Sequence, residues 1–210
     1  MATPKARTLQ QRFGFQDKDL TTPQHDEIMM WLNKSAEKIL YSPPWQSWLK
    51  KRWDKRIEEQ ETFIKVNGGE NIYQQIMQHV PKSQDTIAIE NITCQWEYPI
   101  VDQNNRSKSQ YVIGFVDLRV SFEVKMPSAS YSSDGHSINN WKWGTATRNI
   151  SINFEVKTKI PSLGELFRQI NLYKTYDDSY FVIVSPDDRF QHQIISQGLY
   201  FLKYEPKKYE

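Results

Sequence analysis

Residues 149–184 read NISINFEVKTKIPSLGELFRQINLYKTYDDSYFVIV, and three elements of different period follow one another within them. Ile150, Ile152, Phe154, Val156 and Ile160 alternate with Asn153, Glu155, Lys157 and Lys159, the period of two that marks a strand over 149–160. Pro161 ends it, and Ser162, Leu163, Gly164, Glu165 form a capping box that opens a helix to about Tyr176, with Leu163, Leu166, Phe167 and Ile170 on its core face. The short apolar run 180–184 then suits a strand covered on both faces, placed centrally in a sheet.

Working outward, 111–125 is a second alternating stretch, with Val112, Gly114, Val116, Leu118, Val120, Phe122 and Val124 on its apolar face. Its partner is a strand over 86–98, closed by Pro99, and 102–110 is the turn of an antiparallel hairpin. A polar loop is expected over 126–148. Downstream, a helix over 187–197 ends at Gly198 in the left-handed conformation, and a last strand covers 199–204. Upstream, Thr22 caps and Pro23 opens a helix to Leu40, Pro43 and Pro44 separate it from a helix over 45–66, Gly68 and Gly69 end that one, and a short helix covers 70–79. The first twenty residues read as polar and loosely held. The 210 residues fit one domain, with 1–85 a helical N-terminal region, 86–204 the core and 126–148 an insertion.

Composition narrows the chemistry. Hydrophobic residues make up 38% and charged ones 25%, with no apolar run of the ~20 residues that a membrane helix needs and no secretory leader, so an intracellular, cytoplasmic setting without a membrane is expected. Cys94 stands alone, which excludes a disulfide or a cysteine-built metal centre within the chain and leaves oxygen and histidine ligands, the set that suits magnesium or manganese. A net charge of +2 is too small to imply a polyanionic partner by itself, so local clusters must carry that argument.

One constellation does so for catalysis. Asp117 lies opposite the apolar face of its strand, where a carboxylate is costly unless a cation pairs with it. Glu155 and Lys157 point the same way from the next strand, with Cα atoms about 6.6 Å apart. Two carboxylates can hold a magnesium ion that keeps several waters, and an ammonium beside them can stabilise a charged transition state.

Gly114, Phe115, Val116, Asp117 on one strand and Glu155, Val156, Lys157, Thr158 on the next resemble the PD-(D/E)xK nucleases, and Gln169 with Tyr173 on the following helix is similar to the QxxxY motif of the RecB and lambda-exonuclease branch. The likeness covers about 86–204. It implies an α/β (α+β), restriction-endonuclease-like fold, a mixed central sheet flanked by helices, here with an N-terminal helical embellishment. It further implies DNA phosphodiester hydrolysis with Mg2+ or Mn2+ held by Asp117 and Glu155, and catalytic roles for Lys157, Gln169 and Tyr173. Such nucleases usually carry another acid on a preceding helix, and a TnsA-like first helix makes Glu27 the candidate, about 40° around the helix from Trp31. Glu70 and Glu97 compete for that role, while His25 reads as a first-turn residue satisfied by solvent or a carbonyl.

Val116 stands where the family's proline would be, and the long separation of Asp117 from Glu155 fits an insertion at the hairpin tip. The tetrapeptide Phe-Glu-Val-Lys occurs at both 122–125 and 154–157, but Glu123 lies about 20 Å along the strand from Asp117, too far to share an ion.

Other features keep two readings. Gln169 and Tyr173 can act in the site or simply pack. Lys50, Lys51, Arg52, Lys55 and Arg56, interleaved with tryptophans, suit phosphate contacts or the charged outer face of a helix. The 126–148 segment, with Trp141 and Trp143, can enter a DNA groove or pair with a second subunit. Asp187 and Asp188 read as helix N-terminal charges. DNA is the expected partner, with a homodimer or a partner protein of a DNA-processing system beside it, and a catalytically silent DNA- or protein-binding member of the fold is the alternative to an enzyme.

Overall fold

The computed structural model describes residues 22–102, 111–133 and 138–209. The N-terminal stretch that was expected to be loosely held, most of the expected 102–110 turn and His136 fall outside them. Four helices and five strands follow in order: α1 (Pro23–Leu40), α2 (Pro43–Met77), β1 (Ile89–Asp102), β2 (Tyr111–Ser133), β3 (Ile138–Val156), α3 (Leu163–Tyr176), β4 (Tyr180–Ser185), α4 (Gln191–Ser196) and β5 (Tyr200–Lys203). The protein is thus a mixed α and β chain with one mixed sheet, ordered β1-β2-β3-β4-β5. β4 is parallel to both β3 and β5, while Asn91 bonding Glu123 and Thr93 bonding Ser121 run in opposite senses, as antiparallel partners do. Among the described residues no helix is long and apolar enough to cross a membrane.

The chain divides into two compact units, 1–36 with 93–121 and 151–210, and 37–92 with 122–150. α1 and the first three strands contribute residues to both.

In the first unit, Ser162 caps α3 by accepting the Glu165 amide at 3.3 Å, as the capping box requires. α3 buries Leu166, Ile170 and Tyr173 in a cluster with Phe181 and Ile183 of β4 and Ile194 of α4. In the β3–β4 register Asn153 pairs with Phe181 and Glu155 with Ile183, so both polar residues share the face that α3 covers. β4 is buried from Phe181 to Ser185 as its all-apolar run implied, but it lies one strand from the sheet edge and not at the middle. The last helix is shorter than 187–197, because Asp187 and Asp188 precede it and bond Arg189 and Lys203 instead of its first turn. Gly198 has φ +70, the left-handed stop expected of it.

Arg119 of β2 ties this unit across its strands. It donates to Asn153 Oδ1 at 2.8 Å, pairs with Asp177, and lies over the Tyr98 ring at 3.5 Å. Burial opposes the Asp177 carboxylate, yet the Ser179 hydrogen bonds and the Arg119 guanidinium outweigh it and hold its pKa below the ordinary value. Because the pair is 12% and 14% exposed, Asp177→Asn should leave Arg119 uncompensated and lower the unfolding free energy by about 3 kcal/mol at pH 7. A depressed folded pKa contributes stability above the unfolded value near 4 and loses it as pH falls through the folded value. Urea unfolding at pH 7 and melting from pH 7 to 3 check this, and the variant's acid-side loss should be shallower than the wild type's.

The second unit is built on α2, which continues past the expected stop at Asn67 but is broken at Gly69, where φ is 73 and ψ 175. The single element is thus two helices joined at the glycines that were expected to separate them. The segment 126–148 is not a loop: β2 runs to Ser133 and β3 begins at Ile138. This arm packs on α2, with Gln60 Oε1 accepting the Ala129 amide at 2.9 Å and Trp143 Nε1 donating to the Ile76 carbonyl at 3.0 Å. The Trp141 ring lies tilted against Tyr131 and edge-on to Phe63, with ring centres 4.7 and 5.7 Å away, and both half-buried tryptophans pack against Ile64, Ile76 and Ala129. β1 begins at Ile89, three residues later than expected, because Gln46 of α2 bonds both the amide and the carbonyl of Ile87.

Candidate active site

Four elements of the first unit, α1, β2, β3 and α3, bring the polar groups together. Thr22 caps α1 by accepting the His25 amide, and from there His25, Ile28, Met29 and Leu32 share the buried stripe of the helix. β2 supplies Asp117, 6% exposed, and β3 supplies Glu155, 2% exposed. Just past the strand end, the Lys157 amide still bonds the Val184 carbonyl at 2.9 Å, which fixes its backbone against β4.

The side chains interlock. Asp117 Oδ2 accepts the Val156 amide at 2.6 Å, joining the two acid-bearing strands next to Glu155. Glu155 Oε1 accepts from Lys157 Nζ at 2.9 Å and from Gln169 Nε2 at 2.8 Å. Gln169 Nε2 also donates to the Tyr173 hydroxyl at 3.2 Å, which donates in turn to the Phe115 carbonyl at 3.3 Å. The spacing of four on α3 therefore yields one chain of hydrogen bonds from β2 to Glu155.

His25 completes the group. Its Nε2 stands 3.4 Å from Asp117 Oδ1, at ion-pair distance without hydrogen-bond geometry, and neither ring nitrogen has a hydrogen-bond partner among the described residues. Burial works against the imidazolium, but the Asp117 carboxylate and the Glu155 charge outweigh it, against the Lys157 ammonium, so its pKa is raised.

Asp117, Glu155, Lys157, Gln169 and Tyr173 thus converge as their spacing and the family resemblance implied, and Glu27 does not join them. Glu27 is exposed and accepts the Tyr204 hydroxyl at 2.8 Å, so the α1 residue beside Asp117 is His25, two positions earlier. The reading of His25 as a solvent-satisfied first-turn residue is corrected by its burial to 5%. Its place on the Ile28 and Leu32 stripe was the signal available in the sequence. Glu70 is exposed and takes the Gln74 amide, and Glu123 of the repeated tetrapeptide takes Asn91.

Two buried carboxylates, Asp117 and Glu155, act on the His25 imidazole together with the Lys157 ammonium, and carboxylate oxygens are the donor type that magnesium and manganese take. Among the described residues no group of three or more His, Cys, Asp or Glu side chains is placed to hold a metal ion. No protein-family model, curated protein or solved structure matches the chain.

Proposed function

We propose that the chain is a divalent-metal-dependent nuclease that hydrolyses DNA phosphodiesters on a restriction-endonuclease-like sheet. The observation that carries this reading is the burial of Asp117, Glu155 and Lys157 together, with Asp117 held by the Val156 amide and Glu155 hydrogen-bonded to Lys157 and to Gln169, which is tied to Tyr173. Asp117 and Glu155 would hold Mg2+ or Mn2+, with His25 beside Asp117. The chemistry supplied by such an ion is neutralisation of phosphate charge and activation of water.

The chain's own groups do the rest. Lys157, held by Glu155, presents an ammonium where negative charge grows on the phosphoryl oxygens. Gln169 and Tyr173 are positioning residues: they fix the orientation of Glu155 through the link to the Phe115 carbonyl. Val156 fixes Asp117 in the same manner through its amide.

A second reading, a catalytically silent DNA- or protein-binding component, is favoured by two observations. Lys157 occupies Glu155 Oε1, and among the described residues no group of three or more His, Cys, Asp or Glu side chains is placed to hold a metal ion. Plasmid, linear duplex and single-stranded DNA incubated with Mn2+, with Mg2+ and with chelator separate the two. Metal-dependent cleavage is expected, and binding without cleavage under every metal selects the second reading.

A further inference from the structure

The second unit contains a cavity of about 240 Å³ whose lining includes Arg52, Lys55, Arg56 and Glu59 of α2 and Arg148 and Asn149 of β3. Positions 52, 55, 56 and 59 are three and four apart, one stripe of a helix, and Arg148 is contributed by the strand. Four cations therefore meet one carboxylate, and that carboxylate is already bonded by Arg56 at 2.8 Å.

The guanidinium groups are pre-set. Arg52 lies 5.3 Å from the centre of the Trp48 ring, which limits its rotamers, and Arg56 Nε has no hydrogen-bond acceptor among the described residues. Arg56, by its hydrogen bond and charge, and the charges of Lys55 and Arg52 hold the Glu59 carboxyl below its ordinary pKa, so an anion in the cavity meets the same field. The volume is below the roughly 300–1,000 Å³ of sites that engulf a small organic ligand, and forked guanidinium donors match the oxygens of a phosphate.

We propose that this cavity is a phosphate-binding site that holds a backbone phosphate of a nucleic-acid strand. The identity of the ligand rests on the nucleic-acid reading above; the anion chemistry stands on the cavity alone. The cluster also sorts the basic run. Arg52, Lys55 and Arg56 join Arg148 at the phosphate, whereas Lys50 lies 4.0 Å from Asp85 and Lys51 is outside the lining.

The test is fluorescence anisotropy of a labelled 20-nucleotide DNA, single-stranded and duplex, titrated in chelator across a series of salt concentrations. The double variant Arg52→Ala/Arg148→Ala should bind about tenfold more weakly, with the slope of log affinity against log salt reduced by about one, the signature of one lost phosphate contact. Lys82→Ala, which removes an exposed cation of the same unit away from the cavity, should bind as the wild type does. Unchanged affinity and slope in a double variant with a wild-type melting midpoint would overturn the proposal. Should the double variant melt early, Arg148→Gln on the exposed strand position is read by the same two criteria. Calorimetry with inorganic phosphate forms the second arm: phosphate binding lost in the variant while DNA affinity stays unchanged would assign the cavity to free phosphate and overturn the strand assignment. Because chelator suppresses hydrolysis, failure here is separate from failure of the nuclease reading, which is scored by metal-dependent cleavage of the wild type.

Discussion

Asp117→Asn is expected to lower metal-dependent DNA cleavage by roughly a thousandfold or more while leaving the fold and the DNA affinity in chelator close to wild type. The change removes one negative charge and no volume. The amide oxygen can still accept the Val156 amide now bonded at 2.6 Å, so the join between β2 and β3 survives. Alanine at the same position would leave that buried N–H without an acceptor, at a cost of about 1–3 kcal/mol, and would mix lost stability with lost chemistry. Glu155→Gln makes the parallel case. It keeps an oxygen for Lys157 and Gln169 but halves the anionic set, and its loss of rate should be no smaller. The two losses should also be non-additive, because groups that act as one unit fail together. Cleavage rates on supercoiled plasmid in Mn2+, with melting midpoints measured alongside, check all three statements. Undiminished cleavage in both single variants would reject the site.

Strand alternation and helical spacing make these residues visible in the sequence. Glu155 on the strand and Lys157 just beyond its end are two apart, opposite a face of Ile152, Phe154 and Val156, and a period of two admits only one way to bury that set. Gln169 and Tyr173 are four apart behind a capped helix start, so once Ser162 fixed the phase of α3 their shared stripe followed. Asp117 needed a neighbouring strand, and alternation supplied that too.

Two residue groups escaped for different physical reasons. On α1 the resemblance directed attention to an acid, although Glu27 falls outside the stripe of His25, Ile28 and Leu32; helical phase pointed to the histidine and was outweighed by residue type. In 126–148 the serines, asparagines and glycines have low intrinsic strand preference, so composition alone implies a loop. Trp141 and Trp143 nevertheless alternate with the exposed Lys142 and Gly144, a short period-two signal whose meaning depended on a helix surface available to receive the rings. That surface is tertiary information. Gln60, buried at 7% to accept the Ala129 amide, is the partner that no local pattern announces.

Gly114→Ala should be among the most damaging single methyl additions in the chain, lowering the unfolding free energy by about 3 kcal/mol and cleavage by about tenfold or more. A Cβ at that position would stand 2.5 Å from the Tyr173 hydroxyl oxygen, 2.6 Å from Cε1 and 2.8 Å from Cζ, all closer than real Cβ contacts come. The ring has no room to yield, since Tyr173 is fully buried, packs on Phe181, and is tied by its hydroxyl to Gln169 and the Phe115 carbonyl. Displacing it would release Gln169 from its second acceptor, and with that the orientation of Glu155. The requirement at 114 is therefore close approach of backbone to an aromatic ring. Tyr173→Phe removes only the hydroxyl oxygen and leaves two of the three clashes, so it should not rescue Gly114→Ala. Tyr173→Leu opens the space, and its own cost should be smaller by at least about 1 kcal/mol in the Gly114→Ala background than in the wild type. A urea-unfolding double-mutant cycle measures that coupling. Strict additivity would show that the loss at 114 arises elsewhere than at the Tyr173 ring.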